Sequence, residues 1–202
     1  MMDTVTIDQS GRSSRSKRLR TETHAVHENL DQSIMRAASF ADVSAYGRFV
    51  EVQYLFHREI EALYSDSGLR ALLPGLAARS RLGLMAADLA DLGRSMPEAE
   101  TVPVFAAGPA ADAPTALGWL YVAEGSNLGA ALLRKEAAKI GLSDSHGARH
   151  LASTSEGPAA HWRVFTAALD AVDLDDAEEE RVLAGARAAF ARVQAIADVR
   201  LG

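Results

Sequence analysis

The chain reads as an all-α protein. Apolar residues recur at three-to-four spacing along most of its length, glycine and proline punctuate those runs, and no stretch sustains the period-two alternation of a half-buried strand. The spacing predicts a first helix over about residues 14 to 37, with Leu19, Val26, Leu30 and Ile34 as its inner stripe and residues 1–12 as a disordered lead-in. A second helix begins after Ser39, where a hydroxyl and Asp42 three residues on resemble a capping box, and ends near Tyr64. Leu69 to Leu73 is a short helix stopped by Pro74 and Gly75. Leu76 to Leu92 forms the next, closed by Gly93, and a loop rich in proline and alanine follows to Asp112.

Pro114 suits a first helical turn, where its missing N–H costs nothing, and the helix it opens runs to Ile140 before Gly141. A short helical piece around His146 to Ala152 precedes a helix from Pro158 to Ala171. The acidic run Asp175, Asp176, Glu178, Glu179 and Glu180 introduces the last one; carboxylates favour a helix N-terminus electrostatically, so this run reads as structural rather than metal-binding. With 202 residues and 48% hydrophobic content the chain is long enough for one well-buried core, and residues 13–202 are expected to be one domain.

Composition narrows the chemistry. The absence of cysteine removes disulfides, thiolate metal sites and cysteine nucleophiles, leaving histidine and carboxylate as strong metal ligands. No apolar run approaches the roughly 20 residues that span a bilayer, nothing resembles a secretory leader, and a cytoplasmic location is expected. A net charge of −6 argues against nucleic acid as a partner. Positive charge is nonetheless concentrated in Arg12, Arg15, Lys17, Arg18 and Arg20. Such a cluster is either a solvated helix start or a patch for an anionic small molecule or acidic protein.

Two places depart from an ordinary helical core. The first is His27, which at about 100° per residue shares a helix face with Arg20, Thr23, Leu30, Asp31 and Ile34, so its imidazole is expected to point inward. Asp31, one turn on, is placed to accept a proton from one ring nitrogen, the arrangement that orients metal-binding histidines. A histidine on an apolar face is also an ordinary core or boundary residue, and that reading is kept for His57, His146, His150 and His161. His24 has the i, i+3 spacing of a metal pair with His27, but no matching carboxylate and histidine pair occurs elsewhere. The second place is Gly118 to Ala131, where Gly125, Ser126, Asn127 and Gly129 interrupt a long helix at a cost of roughly 1 kcal/mol per glycine. Gly125 and Gly129 make a bare strip that serves either close helix packing or close approach to a flat cofactor, and Gly-Ser-Asn weakens the helix enough to kink it.

These segments and the strings between them resemble the biliverdin-producing bacterial heme oxygenases from about Arg12 to the C-terminus. The similarity is carried by Arg48-Phe49-Val50, Gln53-Tyr54-Leu55-Phe56, Pro74-Gly75-Leu76-Ala77, Ala87 to Gly93, Gly118-Trp119-Leu120 through Glu124-Gly125-Ser126, and Gly147-Ala148-Arg149-His150-Leu151. The resemblance implies heme held between a proximal helix and a kinked distal helix, with His27 as proximal iron ligand and Asp31 as its hydrogen-bond partner. It puts Gly125 and Gly129 close over the ring. Heme is then substrate and cofactor together, consumed with O2 and electrons from a reductase or ferredoxin to give biliverdin, carbon monoxide and iron. An Asp follows the first distal glycine in many relatives and anchors a water used in proton delivery; Ser126 stands there in this chain. Arg20 corresponds to the basic residue that meets a heme propionate and favours the IXα isomer. Tyr121 and Phe190 correspond to aromatic residues at the heme edge and wall. The implied partners are the electron-donor protein, which Lys17, Arg18 and Arg20 could face, and a bilin-accepting protein. A noncatalytic heme carrier or sensor of the same fold is the alternative reading; a second axial ligand would favour it, and no His or Met occurs between Gly118 and Ala138. A helical adaptor without heme is a third.

Overall fold

A computed structural model describes residues 14–37, 39–99, 101–152 and 157–202. The expected lead-in of residues 1–12, and Arg12 with it, lies outside the described residues. Nine α-helices are found among the described residues: α1 (Arg15–Glu22), α2 (His24–Arg36), α3 (Val43–Ser65), α4 (Ser67–Leu72), α5 (Leu82–Asp91), α6 (Ala113–Ser126), α7 (Ala130–Lys139), α8 (Pro158–Ala171) and α9 (Asp176–Leu201). No strand occurs among them, only a tight turn in which Ser143 and His146 exchange backbone hydrogen bonds. The all-α class is as the periodicity predicts.

Aspartate starts four of these helices. Asp42, Asp66, Asp112 and Asp175 each accept a hydrogen bond from the backbone N–H three residues on, satisfying a donor that has no partner inside the helix. At Asp175 the arrangement is a full capping box with Glu178, so the acidic run is structural. Its remaining charges pin α1: Glu180 meets Arg18 at 2.5 Å, and Glu179 meets Arg15 at 2.7 Å. Arg15 also donates to the carbonyl oxygens of Leu169 and Val172. Arg15 is therefore buried and ties α1 to the ends of α8 and α9, so one member of the basic cluster is neither a solvated helix start nor a docking charge.

Several expected boundaries move, each for a local reason. The first helix is interrupted at Thr23, whose hydroxyl donates back to the Leu19 carbonyl at 2.7 Å. Ser39 caps nothing; its hydroxyl donates to the Ile34 carbonyl, and Asp42 is the N-cap. The stretch from Leu76 to Leu92 splits into a 3₁₀ turn, Leu76–Arg79, and α5, because Arg79 and Ser80 send their side chains to partners on α6 and α3. The helix expected over 114 to 140 is two helices broken at 127–129. Val26 is exposed, while Leu19 and Leu30 are buried as expected and Ile34 is half-buried.

α9 is the beam on which the site is assembled. α6, α3 and α2 pack against it, and the α6 crossing is close because Gly118 and Gly185 face each other's backbones. A Cβ on Gly118 would strike the Val182 carbonyl and the Ala186 amide; one on Gly185 would strike the Thr115 carbonyl. Around this crossing lie Leu117, Leu120, Val182, Leu183, Ala186 and Phe190. A second core of Tyr46, Phe49, Val50, Met85, Leu89 and Leu151 fills the space between α3, α5 and the 3₁₀ turn Arg149–Leu151. Asp88, fully buried, joins those elements by accepting from the Arg149 and His150 backbone N–H groups at 2.8 and 2.9 Å and lying 2.7 Å from His150 Nδ1.

The crossing makes a direct prediction. Gly185→Ala lowers stability by about 1–3 kcal/mol through overpacking, and so lowers the melting temperature by roughly 3–10 °C for a chain of this size. Thermal unfolding followed by circular dichroism measures it, and an unchanged midpoint would show that the two helices do not need bare backbone to meet.

Candidate functional site

The candidate site residues fall into two groups, one on α2 beside α9 and one at the end of α6. The proximal half belongs to α2. His27 Nδ1 lies 3.2 Å from Asp31 Oδ2, one helical turn on. A carboxylate only accepts, so a proton on Nδ1 would face Asp31 and leave the lone pair of Nε2 for a metal. The imidazole is flanked edge-on by Phe190 of α9, with ring centroids 5.8 Å apart. Its orientation departs from the expectation of an inward-pointing side chain: His27 is 57% and Asp31 62% exposed. The apolar members of its helix face, Leu30 and the methyl-bearing Thr23, fill the core, and His27 stands at the rim beside Phe190. A contact this exposed contributes little to stability, and its role is to favour one orientation of the ring.

The distal half is the break between α6 and α7. Here the helical pattern tightens to i, i+3 bonds: Asn127 N–H donates to the Glu124 carbonyl at 3.3 Å, Leu128 N–H to the Gly125 carbonyl at 3.0 Å, and Ala130 N–H to the Asn127 carbonyl at 3.3 Å. Ser126 donates its hydroxyl proton to the Ala123 carbonyl at 2.7 Å, which leaves its lone pairs as the free function. Gly125 and Gly129 do not serve helix packing. A Cβ on Gly125 would rest 3.6 Å from Trp162, an ordinary van der Waals contact, and one on Gly129 would meet only the carbonyl of Ser126 at 3.7 Å. The close-packing role belongs to Gly118 with Gly185.

Arg20 and Tyr121 lie on α1 and α6. Tyr121 is buried on α6, its ring 5.4 Å from Trp162, and burial pushes its hydroxyl up to about 12 against the opposing pull of the Arg20 charge. Arg20 itself is exposed on α1, as is Lys17. Of the eight residues singled out in the sequence, His27, Asp31 and Phe190 thus form one contact group and Gly125, Ser126 and Gly129 another, while Arg20 and Tyr121 are electrostatic neighbours. A histidine with a free Nε2, a wall of phenylalanine and tyrosine, an exposed arginine and a side-chain-free backbone fit an iron porphyrin: nitrogen for the metal, aromatic edges for the macrocycle, a cation for its carboxylates.

Sequence reasoning missed a buried polar group behind the distal break. Glu124, next to Gly125, receives a hydrogen bond from Arg79 at 2.8 Å and one from the Tyr64 hydroxyl at 3.3 Å. Burial pushes its carboxyl up, opposed by Arg79. The only signal was a charged residue inside an otherwise apolar α6. His57 also differs from the ordinary core histidine expected of it. It is buried, its pKa is lowered to about 3 by desolvation and by His150 and Arg81, and neither ring nitrogen has a hydrogen-bond partner. Tyr46 Oη and His150 Nε2 are unpartnered in the same region. Among the described residues no cluster of three or more His, Asp or Glu side chains is arranged to hold a metal, and no helix is long and apolar enough to cross a membrane.

Comparison with known proteins gives consistent matches along the chain. Residues 13–198 match the family model described as heme oxygenase. The protein named heme oxygenase PigA, from Pseudomonas aeruginosa, is 42% identical over 191 residues, covering 95% of each chain. The crystal structure of the heme oxygenase from Neisseria meningitidis, solved with NO and CO bound, superposes with a TM-score of 0.86 at 36% identity, covering 94% of this chain and 92% of that one. The heme oxygenase from Leptospira interrogans shares the fold, with a TM-score of 0.71 at 18% identity.

The division of labour among the glycines is testable without any ligand. Gly125→Ala and Gly129→Ala leave the melting temperature of the protein alone unchanged or raise it, since alanine in a helical conformation gains about 0.5–1 kcal/mol over glycine where no clash opposes it. A loss comparable to that of Gly185→Ala would mean that these glycines, too, are there for packing.

Proposed function

The chain belongs to the heme oxygenase family and is a heme-cleaving enzyme, and from that premise we propose that His27 is the protein ligand of the heme iron and that the bare backbone at Gly125 and Gly129 lies over the opposite face of the ring. The observation that carries this reading is the contrast between two glycine pairs. Gly118 and Gly185 are accounted for by a helix crossing that a Cβ would break, whereas a Cβ on Gly125 or Gly129 would meet only ordinary contacts, with Trp162 and with the Ser126 carbonyl. A glycine pair kept at a helix break, at a cost in helix stability and with no packing role, suits close approach of a flat substrate.

Heme supplies the redox-active iron and is itself the molecule consumed, with O2 and electrons from a ferredoxin or reductase, to yield biliverdin, carbon monoxide and iron. The protein's part is to hold, orient and exclude. Asp31 is placed to orient the His27 ring with Nε2 toward the iron, and Phe190 lies edge-on beside it. Gly125 and Gly129 admit a ring where side chains would keep it out, and the narrow space over them favours attack at a nearby edge rather than at random. Ser126 has its proton engaged by Ala123, so it acts as an acceptor for a water and not as a donor. Arg20, exposed and within electrostatic reach of Tyr121, is suited to a propionate and to the heme seating that gives the IXα isomer. Residues 13–202 constitute the heme oxygenase domain in this reading, which describes a cytoplasmic enzyme. Arg18 is engaged by Glu180, so Lys17 and Arg20 are the α1 charges left to meet an acidic electron donor. A bilin-accepting protein is a further partner for the product.

His27→Ala retains the helical circular dichroism of the parent, because the side chain is exposed, but weakens hemin binding by at least about 10–100-fold, the range found when metal-site hydrogen-bond partners are lost, and abolishes ring opening. Absorption titration with hemin reads the first effect, and normal turnover by this variant would refute the ligand assignment. Arg20→Gln changes the proportions of biliverdin isomers resolved by chromatography; an unaltered product pattern removes Arg20 from the seating of the ring.

A further inference from the structure

Glu124 sits on the last turn of α6, one residue before Gly125, with its side chain only 1% exposed. A carboxylate in that position is costly to bury, and it takes no part in holding the iron. Its partners explain its presence. Arg79, whose side chain is 6% exposed, donates from one nitrogen to Oε2 at 2.8 Å. The same nitrogen lies 3.1 Å from His161 Nδ1, and the second terminal nitrogen donates to the His161 carbonyl at 3.1 Å. The next residue along α8 is Trp162, the side chain that faces Gly125. Phe165 stacks under the Arg79 guanidinium at 5.6 Å and on Trp162 at 5.7 Å. The path therefore closes: from Glu124 through Arg79 and α8 back to Gly125.

The backbone shows why closure matters. The carbonyl of Glu124 accepts the first i, i+3 bond of the break, from Asn127. The residue whose side chain is clamped is thus the residue at which the helix stops following its regular pattern. Buried ion pairs are weak sources of stability, and in some proteins they serve instead to select one geometry.

We propose that Glu124 and Arg79 are positioning residues: their buried pair, held by Tyr64 on one side and by His161 and Phe165 on the other, fixes where α6 ends and the direction in which 126–129 leaves it. Through that segment the pair sets which edge of the substrate ring lies under the distal backbone. The clamp is a property of the protein alone; its consequence for the site of ring opening rests on the heme reading.

The test uses the full chain with Glu124→Gln and, as a milder variant that removes a single hydrogen bond, Tyr64→Phe. Amide hydrogen exchange of the protein without heme is compared at 127–130 and at 182–190 of α9, and biliverdin isomers are then typed after turnover. The expected result for E124Q is exchange at least about tenfold faster at 127–130 with α9 unchanged, the mark of a local opening, together with a broader isomer distribution; Y64F shifts both in the same direction by less. Should E124Q fail to fold, Y64F carries the comparison. Exchange at 127–130 that is unchanged, or that rises in parallel with α9, overturns the proposal, as does a local opening with an unchanged isomer pattern. If the parent protein leaves heme intact, the heme reading fails, while the exchange data still decide whether the clamp exists.

Discussion

The close crossing of α6 on α9 is the constraint from which the rest of the site follows. Two glycines, Gly118 and Gly185, allow the backbones to meet where any side chain would strike a carbonyl or an amide nitrogen. Backbone atoms cannot step aside as a flexible side chain can, so the crossing point and its angle are tightly determined. Several residues of the site lie a few positions from it. Tyr121 and Glu124 are one and two turns along α6, the distal break begins at Gly125, and Phe190 lies little more than a turn along α9. The crossing thus helps to set both where α9 brings Phe190 against His27 and where α6 brings Gly125 against Trp162.

The two half-sites are stabilised in opposite ways. The distal side is anchored from behind by buried charges in a closed set of contacts, whereas the proximal side presents an exposed histidine oriented by an exposed carboxylate. Exposed pairs are energetically minor, so the proximal ring depends on packing of α2 against α9 for its location and on Asp31 only for its orientation. A substrate as large and apolar as a porphyrin supplies the missing burial itself, and its binding stabilises the folded chain in proportion to how far its concentration exceeds its dissociation constant.

Much of this was legible in the sequence, for definable reasons. Helix periodicity and the Pro and Gly punctuation are local signals, and they located the helical stretches, though not the breaks inside three of them nor the aspartate caps at Asp42, Asp66 and Asp112. The pairing of His27 with Asp31 follows from helical spacing alone. What was not legible depends on contacts between residues distant in the chain. Gly118 and Gly125 look alike in sequence, and only the position of α9 assigns one to packing and leaves the other bare. Arg15 reads as part of a basic surface cluster until α8 and α9 are seen to enclose it. Glu124 and Arg79 are 45 residues apart and belong to no short motif. The interruptions at Thr23 and Arg79 arise because a side chain finds a partner that propensity does not anticipate. The exposure of His27 was not legible because helix-face arithmetic gives direction relative to the helix axis and says nothing of what stands opposite.

The claim that this arrangement serves oxidative opening of heme is tested most directly by following the absorption spectrum of the purified protein with hemin as reductant is added in air with catalase present. The account predicts a histidine-type heme spectrum that decays to biliverdin, with the isomer identified by chromatography. A stable oxygenated complex, or simple reoxidation without loss of the ring, would contradict it.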